Sequence, residues 1–240
     1  MYGTKGRLGL ISIASSVVME EEYQGMAPPG VTSHSTRIHL GKIDLKGLSE
    51  LVEGEKLESC VASLAQAPLN SILLGCTAGS LVGGTTWEEK LIRKMNSVSN
   101  SIPVSTTAIA VKKALNILGV RRITMATPYP AELLNPAKQW LEELGFEVLY
   151  IEGLGISDDI ELGNQDLQTV RRLSLNCHRD EADALLIACT NLKSASLINE
   201  LEEQFGKPVV TYIQASFWES MRVGGIDKRI SGFGKLLSDF

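Results

Sequence analysis

The chain has 240 residues, 44% of them hydrophobic, enough to bury a core in one large domain or in two lobes of roughly 100 residues each. Its formal net charge of −5 is spread without a basic run, which argues against nucleic acid or anionic lipid as partners. No stretch approaches the roughly 20 apolar residues of a membrane span, and the opening MYGTKGRLGLISIASS lacks the apolar stretch and cleavage site of a signal peptide, so a cytoplasmic protein is expected.

In chain order, short apolar runs alternate with stretches of helical periodicity, the pattern of a parallel sheet with crossover helices, so the expected fold class is α/β. Strands are expected at Leu8 to Ala14, Thr36 to Leu40, Ser71 to Gly75, Val104 to Ser105, Arg122 to Ala126, Glu147 to Tyr150, Ala184 to Ala188 and Val209 to Tyr212. Helices are expected at Leu45 to Ala67, Pro130 to Leu144 and Ser194 to Phe205. Gly119, Gly145 and Gly206 follow helical patterns as C-caps do.

The halves of the chain resemble each other. Leu-Leu-Gly-Cys76-Thr matches Leu-Ile-Ala-Cys189-Thr at an offset of 189 − 76 = 113, which also carries Leu10 to Ala14 onto Ile123 to Thr127 and Ser16 onto Tyr129. Pro103 and Pro208 open similar strand and helix patterns at an offset of 208 − 103 = 105. Two lobes follow, residues 1–118 with Cys76 and residues 119–240 with Cys189, the C-terminal segment crossing back.

Ligands of open parallel sheets bind beyond the carboxyl ends of the strands, where Cys76 and Cys189 both fall. An approximate two-fold axis between the lobes would make the thiols face each other over one cleft. A single cysteine is more often a small apolar core residue, a reading that suits Cys60 and Cys177 within helical patterns. Equivalent placement in both halves, each before a threonine, favours chemistry at the other two. The four cysteines form no C-x-x-C pair and read as free thiols, and His34, His39 and His178 make no zinc motif, so neither metal nor cofactor is expected. Thr77-Ala78-Gly79-Ser80 and Thr190-Asn191-Leu192-Lys193-Ser194 read as loops able to hold an anion. Ser15, Ser16 and Tyr129 could add donors, the serines serving equally as N-caps of a helix through Glu20 to Glu22. Gly83-Gly84 fits a mobile loop or a tight turn. His34 and Arg37 fit a solvent-facing strand better than a substrate contact. Opposed thiols suit proton traffic on both faces of a carbon beside a carboxylate.

These residues carry a resemblance to the aspartate/glutamate racemase superfamily, in the branch that holds maleate cis-trans isomerase and arylmalonate decarboxylase. The most specific parts are Gly9-Leu-Ile-Ser12-Ile-Ala-Ser15-Ser16-Val-Val-Met-Glu20, His34-Ser-Thr-Arg37, Gly75-Cys76-Thr77, Gly119 to Tyr129, Ala188-Cys189-Thr190 and Pro208 to Trp218. The resemblance implies two flavodoxin-like lobes related by a pseudo-two-fold axis, with the site in the cleft between them, no cofactor, a small carboxylic acid as substrate and a homo-oligomer. By position, Cys76 would attack an alkene carbon or take a proton and Cys189 would oppose it. Ser15, Ser16, Thr77, Ala78, Tyr129, Thr190 and Asn191 would bind substrate.

In the decarboxylases of this branch the first cysteine position resembles a glycine, so Cys76 favours an isomerase or racemase, and the opening block with Ser15 and the His34-Ser-Thr-Arg37 segment resemble maleate isomerase more than decarboxylase. A racemase acting beside a carboxylate, an arylmalonate-type decarboxylase using Cys189 alone, and a catalytically silent acid binder remain as alternatives. Maleate isomerases show Pro and Asn where this chain has Ile13 and Ser16, and the loop after Cys76 also differs, which points to a substrate larger than maleate or only singly charged.

Overall fold

The computed structural model of the protein describes residues 2–40, 50 and 53–240, and of residues 78–82 and 85 only the backbone. In chain order the first half runs β1 (Gly6–Ile13), α1 (Met19–Met26), β2 (Val31–Ile38), α2 (Lys56–Leu64), β3 (Ser71–Gly75), α3 (Ala78–Val98), β4 (Val104–Thr106) and α4 (Thr107–Ile117). The second half runs β5 (Arg122–Thr127), α5 (Ala131–Glu143), β6 (Glu147–Gly153), α6 (Asp159–Gly163), α7 (Leu167–Cys177), β7 (Ala184–Ile187), a 3-10 turn at Ala195–Leu197, α8 (Ile198–Phe205), β8 (Val209–Thr211), α9 (Tyr212–Val223) and α10 (Lys235–Asp239).

Each half forms a four-stranded parallel sheet, ordered β2-β1-β3-β4 and β6-β5-β7-β8, so the two sheets share one topology. All eight expected strands are present. β2 begins earlier than expected, at Val31, because Thr32 to Ser35 carry no apolar run; they lie on an edge strand that is largely open to solvent. Register corrects part of the internal alignment. Leu73 and Leu186 keep the offset of 113, but they pair with Leu10 and Met125, so the first strands are offset by 125 − 10 = 115. Tyr129 is then the counterpart of Ala14 rather than Ser16. The offset of 105 holds, since Leu73 pairs with Ser105 and Leu186 with Val210.

Gly119, Gly145 and Gly206 all take positive φ where helices end, as expected of C-caps. The part of the expected Leu45 to Ala67 helix at residues 45–49 and 51–52 lies outside the described residues; its later part is α2. Gly83-Gly84 lies within α3, which bends at Gly84 (φ 63°, ψ −161°). The segment Thr77 to Ser80 is no loop: Thr77 precedes the first turn of α3, so Cys76 lies directly before a helix start.

Both faces of the first sheet are buried, as a parallel sheet requires. Leu8, Leu10 and Leu73 point into the main core, whereas Ile11, Ile72 and Leu74 point into a smaller cluster with Leu57, Val61, Leu91 and Met95, at whose edge Cys76 sits. The period of two along β1 and β3 produces this division.

The halves are joined by α9, buried along its whole face from Tyr212 to Met221. Thr211 starts it with a capping box, its side chain accepting from Gln214 N at 3.0 Å while Gln214 Oε1 accepts from Thr211 N at 3.3 Å. Helix α9 crosses back onto the first half: Ser71 Oγ donates to the Ser220 carbonyl (2.7 Å), Ser216 Oγ to Thr107 Oγ1 (2.9 Å), and Phe217 packs edge-on against Tyr23 at 5.3 Å. Burial of a side chain such as Phe217 contributes about 1.5–3 kcal/mol. Glu219, 1% exposed, is neutralised by Lys113 Nζ at 2.6 Å and accepts from Ser105 Oγ at 2.9 Å.

A second tie is Glu22 on α1. Its Oε1 accepts from the backbone N–H groups of Ser194 (2.6 Å) and Ala195 (3.0 Å), while Oε2 is buried without a partner. Burial outweighs those bonds and pushes the carboxyl up to about 7 from 4.5. The folded state therefore holds this proton where the unfolded chain has lost it. Its contribution is full below about pH 4.5 and is lost as pH rises through about 7, on the order of 3 kcal/mol in all. Thermal melts from pH 5 to pH 8 should show Tm falling, and Glu22→Gln should remove most of that slope; an unchanged slope would refute the assignment.

Candidate active site

The loops beyond the carboxyl ends of β1, β2, β3, β5, β6 and β7 enclose one cavity of about 680 Å³. Its floor holds Cys76, Thr77, Cys189, Thr190 and Tyr129; Ser15 and Asp159 form one side; Leu40, Leu133, Ile156 and Ile160 are among the apolar walls. The two cysteines singled out from the sequence therefore meet at one cleft. Cys60 and Cys177 do not: both lie in helices, Cys177 buried beneath β5 with its thiol toward the Met125 carbonyl at 3.4 Å, and Cys60 half-buried on α2.

Cys189 is 6% exposed and takes φ 135°, a backbone conformation that L-residues rarely adopt and that surrounding contacts must hold. The N–H of Asn191 donates to its sulfur at 3.3 Å, and the Tyr129 hydroxyl also bonds it. Burial nevertheless dominates and pushes the thiol up to about 12, with Asp159 and Cys76 adding to the rise. Cys189 rests as a thiol. Cys76 is 7% exposed and directly precedes the first turn of α3, where the positive end of the helix dipole lies.

Tyr129 lies between the two. Its hydroxyl bonds Thr77 and Cys189 and feels the charge of both sulfurs, and burial holds it well above the usual phenol range, so it is a neutral O–H donor. Gly153 makes room for its loop: a Cβ there would fall 2.3 Å from the Tyr129 carbonyl. Thr190 Oγ1 donates to the Gly75 carbonyl at 3.4 Å, linking the residue after one cysteine to the residue before the other.

Ser15 lines the cavity and donates to Asp159 Oδ2 at 2.5 Å. Ser16 and Asn191 lie behind it. The Asn191 Oδ1 accepts from Ser16 Oγ (3.2 Å) and Val17 N (3.1 Å), and its Nδ2 donates to the Asp159 carbonyl (2.7 Å). Neither serine caps α1, whose N-cap is Val18 without a side-chain bond. Ala78 contributes the first backbone position of α3, and its side chain lies outside the described residues. His34 is exposed and bonds Thr32, while Arg37 pairs with Glu20 at 2.5 Å; both belong to the solvent-facing edge. Among the described residues no three His, Cys, Asp or Glu side chains gather as metal ligands do, and no helix is long and apolar enough to cross a membrane.

Two residues were not singled out in the sequence. Asp159 is the first residue of α6, after β6, and no motif marks it. Tyr212 begins α9; it is fully buried, its hydroxyl has no partner among the described residues, and it lies within electrostatic reach of Cys189 and Tyr129. The apolar pattern around Val209 to Tyr212 reads as strand and hides it.

Residues 8–237 match the family model described as arylmalonate decarboxylase. Among curated proteins, maleate isomerase of Nocardia farcinica is 27% identical over 240 residues, covering 96% of this chain and 95% of that protein. Arylmalonate decarboxylase of Bordetella bronchiseptica is 28% identical over 166 residues, covering 68% and 69%. Among solved structures, a cysteine-to-serine variant of the Nocardia farcinica maleate cis-trans isomerase with a covalently bound succinylcysteine intermediate superposes with a TM-score of 0.89 at 25% identity, covering 98% of this chain and 99% of that one. The chain is an isomerase-type enzyme built on cysteine chemistry, and it belongs to the arylmalonate decarboxylase family.

Proposed function

We propose that the protein catalyses the cofactor-independent cis-trans isomerisation of a small, maleate-like unsaturated acid, with Cys76 and Cys189 acting across the cleft. The observation that carries this reading is the meeting of both thiols and the Tyr129 hydroxyl on one cavity. The Cys76 thiolate adds to one alkene carbon, forming a C–S bond while the π pair moves onto the carbon beside the carboxylate. Thr77 and Tyr129 donate to the resulting enediolate, and the Cys189 thiol delivers a proton to that carbon. The C–C bond is now single and rotates. Cys189, as thiolate, takes the proton back, the C–S pair returns to sulfur and the trans acid leaves. Ser15 and Thr190 complete the wall around the substrate, Ala78 offers the first helical amide of α3, and Ser16 and Asn191 position the loops.

The isomerase relatives and the covalent cysteine adduct in the structural neighbour support this reading. We also place the lobe boundary between residues 118 and 119, with α9 crossing back. Four free cysteines suit a reducing, cytoplasmic setting, and a homo-oligomer is the assembly that the sequence resemblance implies. Decarboxylation of a disubstituted malonate is the second reading, favoured by the family model; Cys189 alone would protonate the enediolate left by carbon dioxide.

Proton NMR in deuterium oxide with maleate, maleamate and an arylmalonate separates these readings. A cis acid should become its trans isomer. Cys76→Ala should abolish this, whereas Cys189→Ser should accumulate a covalent adduct on Cys76, visible by mass spectrometry. Carbon dioxide release that survives Cys76→Ala would establish the decarboxylase instead. In a time course with iodoacetamide at neutral pH, peptide mass spectrometry should find Cys76 labelled before Cys60, Cys177 and Cys189; earlier labelling of Cys60 would remove the premise of an activated thiol. Tyr129→Phe should lower kcat by about 10²-fold through loss of the enediolate donor. Tyr212→Phe deletes a hydroxyl without a partner among the described residues, so its Tm should equal or exceed that of the parent by about 2–4 °C, and a clear fall would show that the hydroxyl has a partner.

A further inference from the structure

The charges around the cavity are unequal. The described residues that line it include three carboxylates, Glu132, Asp158 and Asp159, and no Lys or Arg; His39, exposed at the rim, is the only side chain among them able to become positive. Asp158 is engaged in capping α6, its side chain accepting from Glu161 N at 2.9 Å, and Glu132 is exposed. Asp159 differs from both. It is half-buried, its main chain is fastened by Asn191, and Ser15 holds Oδ2 at 2.5 Å, which leaves Oδ1 to accept from whatever enters. It shares the cavity wall with Cys189 and lies close enough to act on that thiol's charge.

The hydroxyl donors that suit a carboxylate, Thr77 and Tyr129, bond each other on the cavity wall near the thiols. A short acid whose carboxylate is held there and whose far end passes Cys189 brings that end toward Asp159. At Asp159 a second carboxylate would meet like charge in a partly desolvated cleft, whereas a nitrogen carrying hydrogens would gain a charge-assisted hydrogen bond. A fixed repulsive group of this kind discriminates as effectively as an attractive one.

We propose that Asp159 is a specificity determinant that selects a singly charged cis-enoic acid with an amide or ammonium nitrogen at its far end over the corresponding dicarboxylate. This rests on the isomerase reading for the alkene, though not for the charge preference. The test therefore measures binding separately from turnover. Isothermal titration at pH 7.5 with the saturated analogues succinamate and succinate should give the parent protein at least about tenfold tighter binding of succinamate. Asp159→Asn, which keeps the size of the side chain and its ability to accept from Ser15, should shrink that ratio about tenfold.

Equal or tighter binding of succinate by the parent, a ratio unchanged in Asp159→Asn, or binding of neither acid at millimolar concentration would each overturn the proposal. Proton NMR of maleamate with the same samples reports on the underlying reading. A preserved preference for succinamate with no conversion of maleamate to its trans isomer would support the role of Asp159 while counting against isomerisation; conversion of maleate in preference to maleamate would uphold isomerisation and overturn the role of Asp159.

Discussion

The side chain of Asn191, 2% exposed, accepts from Ser16 and Val17 and donates to the Asp159 carbonyl, while its own N–H points at the Cys189 sulfur. Three loops, those after β1, β6 and β7, are thus tied at one buried point. A buried amide left unpaired is costly, so these loops are held to one arrangement or the knot is lost. Even the neighbouring chain is shaped to it: a Cβ at Gly163 would come within 3.0 Å of Asn191 Oδ1. The strained backbone at Cys189 is sustained by the same contacts, since the residue two positions later has no freedom to relax it. The thiol is presented on a loop, and both its sulfur and the loop around it are held by Asn191.

The sheets share a topology, yet the two cysteines at equivalent strand ends have different surroundings. Cys76 stands at the start of a helix. Cys189 stands in a buried pocket with Asp159 and two tyrosines around it, and burial alone carries most of its upward shift. Like groups placed in unlike environments can divide the work, one serving as base or nucleophile and the other as acid. On the proposed mechanism this division of labour comes from the flanking segments, because the strands before the two residues are alike. The arrangement also accounts for Tyr129, a neutral donor that can reach either sulfur's territory without bringing a charge of its own.

Much of this was legible in the chain. The run Leu-Leu-Gly-Cys76-Thr and its partner Leu-Ile-Ala-Cys189-Thr announce a duplicated strand end, because fully buried parallel strands read as continuous apolar runs. The same property hides the register of the first strands: an apolar run carries little information about register, and a two-residue slip keeps every side chain on its own face, so the sequence matches Leu10 with Ile123 although hydrogen bonding equates it with Met125. The start of β2 was hidden for the opposite reason, its residues Thr32 to Ser35 being polar on an edge. Asp159 and Tyr212 reach the site from segments 30 and 23 positions from Cys189 (189 − 159 and 212 − 189), and only the folded arrangement of β6 and β8 around the cleft brings them there.

Asp159 links the two sides of the chemistry. A carboxylate beside Cys189 makes ionisation of that thiol harder, which suits an acid and does not oppose a nucleophile formed at the other thiol. The same charge acts on any group that the substrate brings near. Removing it to admit a second carboxylate would therefore also ease ionisation of Cys189, so on this proposal substrate preference and the ionisation of the acid both respond to one side chain. Ser15 fixes that side chain and Asn191 fixes its backbone, so the coupling extends through the knot to the loop after β1. In a site made from two similar halves, this single carboxylate, which has Ser15 and the loop after β1 on one side and Cys189 on the other, distinguishes one end of the cleft from the other.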